Sequence, residues 1–329
     1  MTRTFEDRPA VRERTPLLVG LVGPSGVGKT FSALRLATGI QRVSGGDVFV
    51  VDTEARRALH YADRFKFRHV PFDPPFGPLD YLAVIGHCTK RGAGVIVVDS
   101  MSMEHEGPGG VLEMHEQEVV RLMESGGFKS EFAANIPAWA KPKAERRKLI
   151  NGVLQLGCNL ILCFRAKEKI KIVDRKPVPQ GWCPIAGEEF IYEMTAKCVL
   201  LPGADGSPSW TSDEPGERAM MKLPEQFREV FAKPGQLSED IGQRLAEWAA
   251  GKDPVGELVA QYAAATGRGE LDAAEAYRAE MWKRIDAPAK QRLKDAAEAA
   301  KKRLAPPPVE RDEDGNPVLF APGNDNAAR

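Results

Sequence analysis

The stretch "GPSGVGKT", residues 23–30, decides how the rest of the chain is read. It satisfies G-x-x-x-x-G-K-[ST] at every fixed position. At average residue usage a chain of this length would match by chance roughly one time in a hundred. The apolar run "LLVGLV" (17–22) before it predicts a strand, and "FSALRLATGI" (31–40) after it has helical periodicity. That strand–loop–helix order is the context the motif requires. Glycines let the backbone curl so that its N–H groups surround a phosphate, and the helix N-terminus favours the anion. The expected nucleotide-binding set is Gly23, Pro24, Ser25, Gly26, Val27, Gly28, Lys29, Thr30 and Phe31. Lys29 is expected to reach the β- and γ-phosphates of ATP, and Thr30 to hold Mg²⁺. The plainer alternative is a glycine-rich strand-to-helix turn.

Two further strand ends complete the chemistry. "GVIVVDS" (94–100) runs four apolar residues into Asp99, at the end of a strand where open α/β sheets place their ligands. Asp99 is expected to hold the Mg²⁺ shell opposite Thr30, through water. "VVDTEARRA" (50–58) ends a buried strand in two carboxylates, Asp52 and Glu54. If this strand lies near the first, Glu54 points into the nucleotide cleft and positions the attacking water. Asp52 is expected to fix the loop or join a cation network. The alternative is that both carboxylates cap the next helix or pair with Arg56 and Arg57.

Working outward, "DVFVVD" (47–52), "GVIVVDS" and "NLILCFRAK" (159–167) read as strands. "DYLAVIGHCTKRGA" (80–93), "VLEMHEQEVVRLME" (111–124) and "PKAERRKLINGVLQLG" (142–157) read as helices. "KIKIVD" (169–174) and "EFIYEMTAKCVLL" (189–201) look β-like, and "PGADGSPSW" (202–210) is a turn. The alternation predicts an α/β fold, a mostly parallel sheet covered by helices on both faces, with a helical C-terminal extension. "LSEDIGQRLAEWAAG" (237–251) is an amphipathic helix with Ser238 as its N-cap. Three more helices are expected over 254–304, broken near Gly267–Gly269 and Pro288. The expected organisation is a polar lead-in (1–15), a core (16–235), a helical region (236–305) and a disordered tail (306–329).

Lys plus Arg and Asp plus Glu both number 46 in the 329 residues, so any nucleic-acid surface must be a local patch. Two segments qualify, 138–148 and 165–176, with Trp139 and Trp182 in or near them for base stacking. The candidate contacts are Lys167, Lys169, Lys171, Arg175 and Lys176. Alternating "KIKI" also suits a half-exposed strand. The five cysteines include no C-x-x-C pair, and the five histidines have no metal-ligand spacing. No signal peptide is expected from the charged opening residues, nor a membrane span from the short apolar runs. A soluble cytoplasmic protein is the expectation.

"VFVVDTEARRALHYAD" followed by "GVIVVDSMS" resembles the ATPase core of the RecA/RadA superfamily. More narrowly, the chain resembles compact phage and prophage P-loop ATPases, labelled AAA-type but RecA-like in build and associated with single-strand annealing, recombination or replication. "LILCFRAKEKIKI", the hairpin-like "PVPQGWCPIAGEEFIYEM" and "LSEDIGQRLAEWAAG" support this, over roughly residues 15 to 251. The resemblance implies a RecA-like core, Glu54 as catalytic base and Asp99 with Ser100 as the Walker B end. It also implies single-stranded DNA at 166–187. Assembly with further copies of the chain is a separate expectation, and a phage partner held by the C-terminal region belongs to the assembly-module reading below. One departure stands out. Arg165 and Lys167 lie where recombinases of this group usually carry an Asn/Gln pair that senses the γ-phosphate. Two readings are open for a cation there: it stabilises transition-state charge, in its own site or across a subunit boundary, or it is a solvated strand end. The competing readings are a small-molecule kinase, disfavoured by Glu54 and the lack of a clear lid, and a nucleotide-driven assembly module.

Overall fold

The computed structural model describes residues 13–305 apart from 229, 233, 252, 253 and 283–286. The expected tail and most of the lead-in lie outside the described residues. Two compact units divide after Gly251.

In the first unit the motif strand β1 (Leu18–Gly23) leads through the glycine loop into α1 (Lys29–Ser44). Then follow β2 (Asp47–Asp52), β3 (Arg68–Pro71), α2 (Pro78–Lys90) and β4 (Ala93–Asp99). The helices α3 (Met103–Glu106), α4 (Val111–Glu124), α5 (Glu131–Ala138) and α6 (Ala140–Gln155) come next. The unit closes with β5 (Asn159–Val173), β6 (Lys176–Pro184), α7 (Glu188–Tyr192), β7 (Ala196–Val199), α8 (Pro215–Ala219) and α9 (Glu239–Ala249). The sheet order is β3-β2-β4-β5-β1-β7, and every pair along that path is parallel. Among the described strands, β6 alone runs antiparallel, to β5. The architecture is α/β with a seven-stranded, mostly parallel sheet flanked by helices.

Strand alternation splits the apolar residues into two cores, one per face. Val19, Leu21, Val50, Val97 and Ile161 pack toward α1 and α9. Leu18, Val22, Val51, Val98 and Leu162 pack toward α2 and α6. Strands buried on both faces read as continuous Val/Ile/Leu runs, which is why they were legible.

Several boundaries differ from expectation. The segments 159–167 and 169–174 form one 15-residue strand, β5. The β-like reading of 189–201 holds only for β7. Phe190, Ile191 and Met194 are all buried, a helical spacing, and Glu188–Tyr192 forms α7. The edge strand β3, "RHVP", was not anticipated, because its residues are partly exposed and show no apolar alternation. Helix α9, expected to open the C-terminal region, belongs to the core unit, with Ser238 as its N-cap as read. The reason is backbone proximity. A Cβ at Gly39 of α1 would run into the carbonyl of Glu239, and one at Gly242 into that of Leu36. Arg35 Nε donates to Glu239 Oε2 at 2.9 Å across the same contact.

The second unit contains α10 (Pro254–Ala264), α11 (Arg268–Met281) and α12 (Ala287–Leu304), around Leu258, Tyr262, Leu271 and Leu293. All five cysteines are free and buried. Among the described residues no helix is long and apolar enough to cross a membrane.

The α1–α9 contact is directly testable. Gly39→Ala should cost at least about 1–3 kcal/mol by overpacking, lowering the melting temperature by several degrees in a thermal melt. An unchanged transition would show that α9 is not held against α1.

Candidate functional site

Register across the sheet gathers the expected residues at one edge. Gly23 of β1 pairs with Arg165 of β5, Asp99 of β4 with Cys163 of β5, and Asp52 of β2 with Asp99. These are the carboxyl ends of parallel strands, where α/β sheets open a crevice.

Gly26 and Gly28 both sit at φ 86°, a conformation that a side chain disfavours, and they turn the loop into α1. Val27 is buried in the core beneath. The Lys29 ammonium is curled back on its own loop, donating to the carbonyls of Gly23 at 2.8 Å and Pro24 at 2.7 Å. Burial lowers its pKa, opposed by nearby acidic groups that include Asp99 and Glu54. Thr30 Oγ1 donates to Asp99 Oδ2 at 2.5 Å. The Phe31 ring does not enter this cleft lining. It packs against Tyr61 and Phe65, with the Arg64 guanidinium over it at 4.8 Å.

Asp52 fixes the loop, as read. Its Oδ1 accepts from the N–H of Glu54 at 2.8 Å and its Oδ2 from that of Ala58 at 3.0 Å. His69 Nε2 lies 3.1 Å from the same Oδ2. The loop held this way passes through Ala55 and Arg56 at φ 54° and 66°, an unusual backbone for non-glycine residues. It presents Glu54 to the cleft. Arg165 Nε donates to Glu54 Oε1 at 2.8 Å, and Arg57 Nη1 stands 3.6 Å from Oε2. Pairing with Arg57 is therefore present, and the shorter partner is Arg165.

A polar lattice supports these strand ends. Ser100 N–H donates to Thr53 Oγ1 at 2.8 Å, and Tyr81 OH donates to the Ser100 carbonyl at 2.8 Å. The Arg165 N–H donates to Ser102 Oγ at 2.8 Å. Lys29, Thr30, Glu54, Asp99 and Arg165 thus line one cleft of about 310 Å³, together with Arg57, His60 and Tyr61. The last two were not singled out from sequence. They follow a turn whose shape depends on Asp52, so their placement had no local signal.

The basic candidates separate into two groups. Lys167, Lys169, Lys171, Arg175 and Lys176 are all exposed, on the ribbon that β5 and β6 form. Its two-residue turn, Asp174–Arg175, has φ 51° and 63°, as a tight hairpin requires. Ile170 and Ile172 are 68% and 67% exposed, so "KIKI" is not a half-buried strand. The other segment, 138–148, is compromised as a surface patch. Arg146 is buried and bidentate to Glu104, at 3.0 and 2.9 Å, while Trp139 stacks on His115 with ring centroids 4.1 Å apart. Among the described residues no group of three or more His, Cys, Asp or Glu side chains forms a metal-binding cluster.

No protein-family model matches the chain, and no curated protein matches it.

Asp99 gives a pH prediction. Burial, with Glu54 and Asp52 nearby, pushes its carboxyl up from 3.8 to about 6, against the Thr30 hydrogen bond and Lys29. Between those values the folded state keeps a proton that the unfolded chain releases, so rising pH weakens folding through that window. In nucleotide-free protein, Asp99→Asn should raise the melting temperature at pH 8 and leave it nearly unchanged at pH 4. Equal effects at both would show that Asp99 carries no ionisation penalty.

Proposed function

We propose that this protein is a RecA-like ATPase of the phage recombination or replication kind, binding and hydrolysing ATP and acting on single-stranded DNA. The observation that carries the reading is the meeting of Lys29, Thr30, Asp99, Glu54 and Arg165 in one cleft. A glycine-rich turn alone does not need a carboxylate and a guanidinium aimed over it.

Each group has a role set by its chemistry. The glycine loop N–H groups and Lys29 bind the phosphates, with the ammonium leaving the Gly23 and Pro24 carbonyls for the stronger anion. The Thr30 hydroxyl and Asp99 carboxylate are adjacent oxygen donors, the type a hard cation takes, and they would hold Mg²⁺. Bound there, the ion would neutralise phosphate charge. Glu54 accepts the proton of the attacking water. Arg165 holds Glu54 in position, and its remaining N–H donors stabilise charge on the γ-phosphate. The ribbon begins immediately after Arg165 and carries five exposed cations, none of them in an ion pair among the described residues. Strand alternation puts Lys167, Lys169 and Lys171 on one face, suited to a phosphate backbone. DNA bound there would pull on the strand that positions Glu54. Assembly with further copies of the chain belongs to the same reading.

A second reading has one observation in its favour. The three-helix unit has its own apolar core, which suits a module that docks another phage protein while nucleotide drives assembly. ATPase rates with and without single-stranded DNA separate the two.

Glu54→Gln should keep ATP binding and lower turnover about 10²–10⁴-fold, the usual contribution of a general base. Parental turnover in this variant would make Glu54 structural. Replacing Lys169, Lys171 and Lys176 with Ala should weaken single-strand binding and flatten its log–log salt slope by roughly 0.7 per lost phosphate contact. Basal hydrolysis should survive while DNA stimulation is lost. Unchanged affinity and slope would remove the ribbon from the DNA interface.

A further inference from the structure

The phosphate cleft does not end at Gly28. A second cavity, of about 600 Å³, lies on the other flank of the same loop, lined by Pro24–Gly28 together with Trp182, Pro202, Gly203 and Asp205. The two cavities share Ser25, Gly26 and Gly28. Phosphates held by Lys29 and Thr30 would therefore leave the rest of a nucleotide to run over the loop into this second space. Its volume falls in the ordinary range for a small-molecule site.

We propose that this cavity receives the nucleobase, with Trp182 stacking on it and the Asp205 carboxylate accepting from an exocyclic amine of a purine. The inference rests on the ATP reading above and adds to it the residues that select the base. Trp182 is held for the task from behind. Its backbone N–H donates to Glu217 Oε1 at 2.8 Å, which fixes the strand at this position, and Glu217 Oε2 accepts from Ser212 at 2.7 Å. Part of the indole packs on the core face that also holds Phe164 and Phe190. An aromatic ring fixed on one side and bordering a cavity on the other is a stacking platform. The opposite wall is equally anchored. The N–H of Leu200 donates to the Val22 carbonyl at 2.8 Å, and that of Leu237 to the Gly206 carbonyl at 3.2 Å. Asp205 sits at φ 47° and accepts from Gln236 Nε2 at 2.9 Å. An ionised carboxylate only accepts hydrogen bonds, so it favours a base edge that donates and opposes one that presents a carbonyl.

This assignment moves Trp182 from the DNA to the nucleotide. Its cross-strand partner is Glu168, at the sheet end of the ribbon, away from the turn at Asp174–Arg175.

The test is equilibrium binding of Mg-ATP, Mg-ITP and Mg-tripolyphosphate to the full chain. ITP replaces the 6-amine with a carbonyl, and tripolyphosphate has no nucleoside. The parental protein should bind ATP more tightly than either. Trp182→Ala should weaken ATP roughly tenfold, the loss expected of one stacking contact, and leave tripolyphosphate unchanged. Trp182→Phe should restore ATP binding, which a merely structural loss would not predict. Asp205→Asn tolerates the same backbone and can donate to a carbonyl, so it should narrow or reverse the preference for ATP over ITP. Parental ATP affinity in Trp182→Ala, or an unchanged ATP/ITP ratio in Asp205→Asn, overturns the base assignment and leaves the phosphate site standing. Binding of none of the three ligands by the parental protein overturns the ATP reading and this inference with it.

Discussion

Hydrogen-bond register between β5 and its two parallel neighbours governs everything at the site. β5 lies between β1 and β4, pairing Gly23 with Arg165 on one side and Asp99 with Cys163 on the other. Side chains on a strand alternate faces, so a slip of one residue would turn Arg165 away from Glu54 and bury the wrong set beneath it. The register is enforced from the opposite edge as well. Asn159 at the start of β5 accepts from the Leu17 N–H at 3.0 Å and donates to the Gly94 carbonyl at 2.9 Å. One buried amide thus ties the entrances of three strands whose exits carry Gly23, Asp99 and Arg165.

Buried polar groups at the exits are satisfied by one another, as low-dielectric surroundings demand. Thr53, Ser100, Ser102 and Tyr81 form a connected set that fixes β2 against β4 and β4 against β5. Asp99 is the costly member. Burial, with Glu54 and Asp52 nearby, disfavours its charge, so in this fold it lowers stability above its pKa rather than adding to it.

Beyond Arg165 the same strand leaves the sheet and becomes the exposed ribbon. At its base a buried ion pair, Glu104 with Arg146, reaches Glu189 of α7 at 3.6 Å. Glu104 follows the Asp99 strand end by five residues, and α7 follows β6. The strand end bearing Asp99 and the return of the ribbon are therefore linked through one guanidinium. Truncating Arg146 would leave the Glu104 carboxyl without its ion-pair partner in the interior, which is why such pairs are sensitive to single changes.

Local signals in the sequence carried much of this. Glycines at 23, 26 and 28, the lysine and threonine after them, and apolar runs ending in Asp52 and Asp99 are short-range patterns. Each has a direct physical cause in backbone freedom or strand burial, so the loop, the main strands and the carboxylates were legible. Which groups face one another was not. Arg165 and Glu54 are 111 positions apart and meet only because β5 inserts between β1 and β4. Phe31 and Arg146 looked available and are packed or paired, because burial is set by neighbours distant in sequence. Trp182 stood out only as an aromatic beside a basic segment, and Asp205 carried no motif at all. The sequence by itself determined a glycine-rich turn between a buried strand and a helix, since that depends on residues in contact along the chain. Only the tertiary structure decided what surrounds it, because strand order and register are the joint outcome of two apolar cores that no single segment contains.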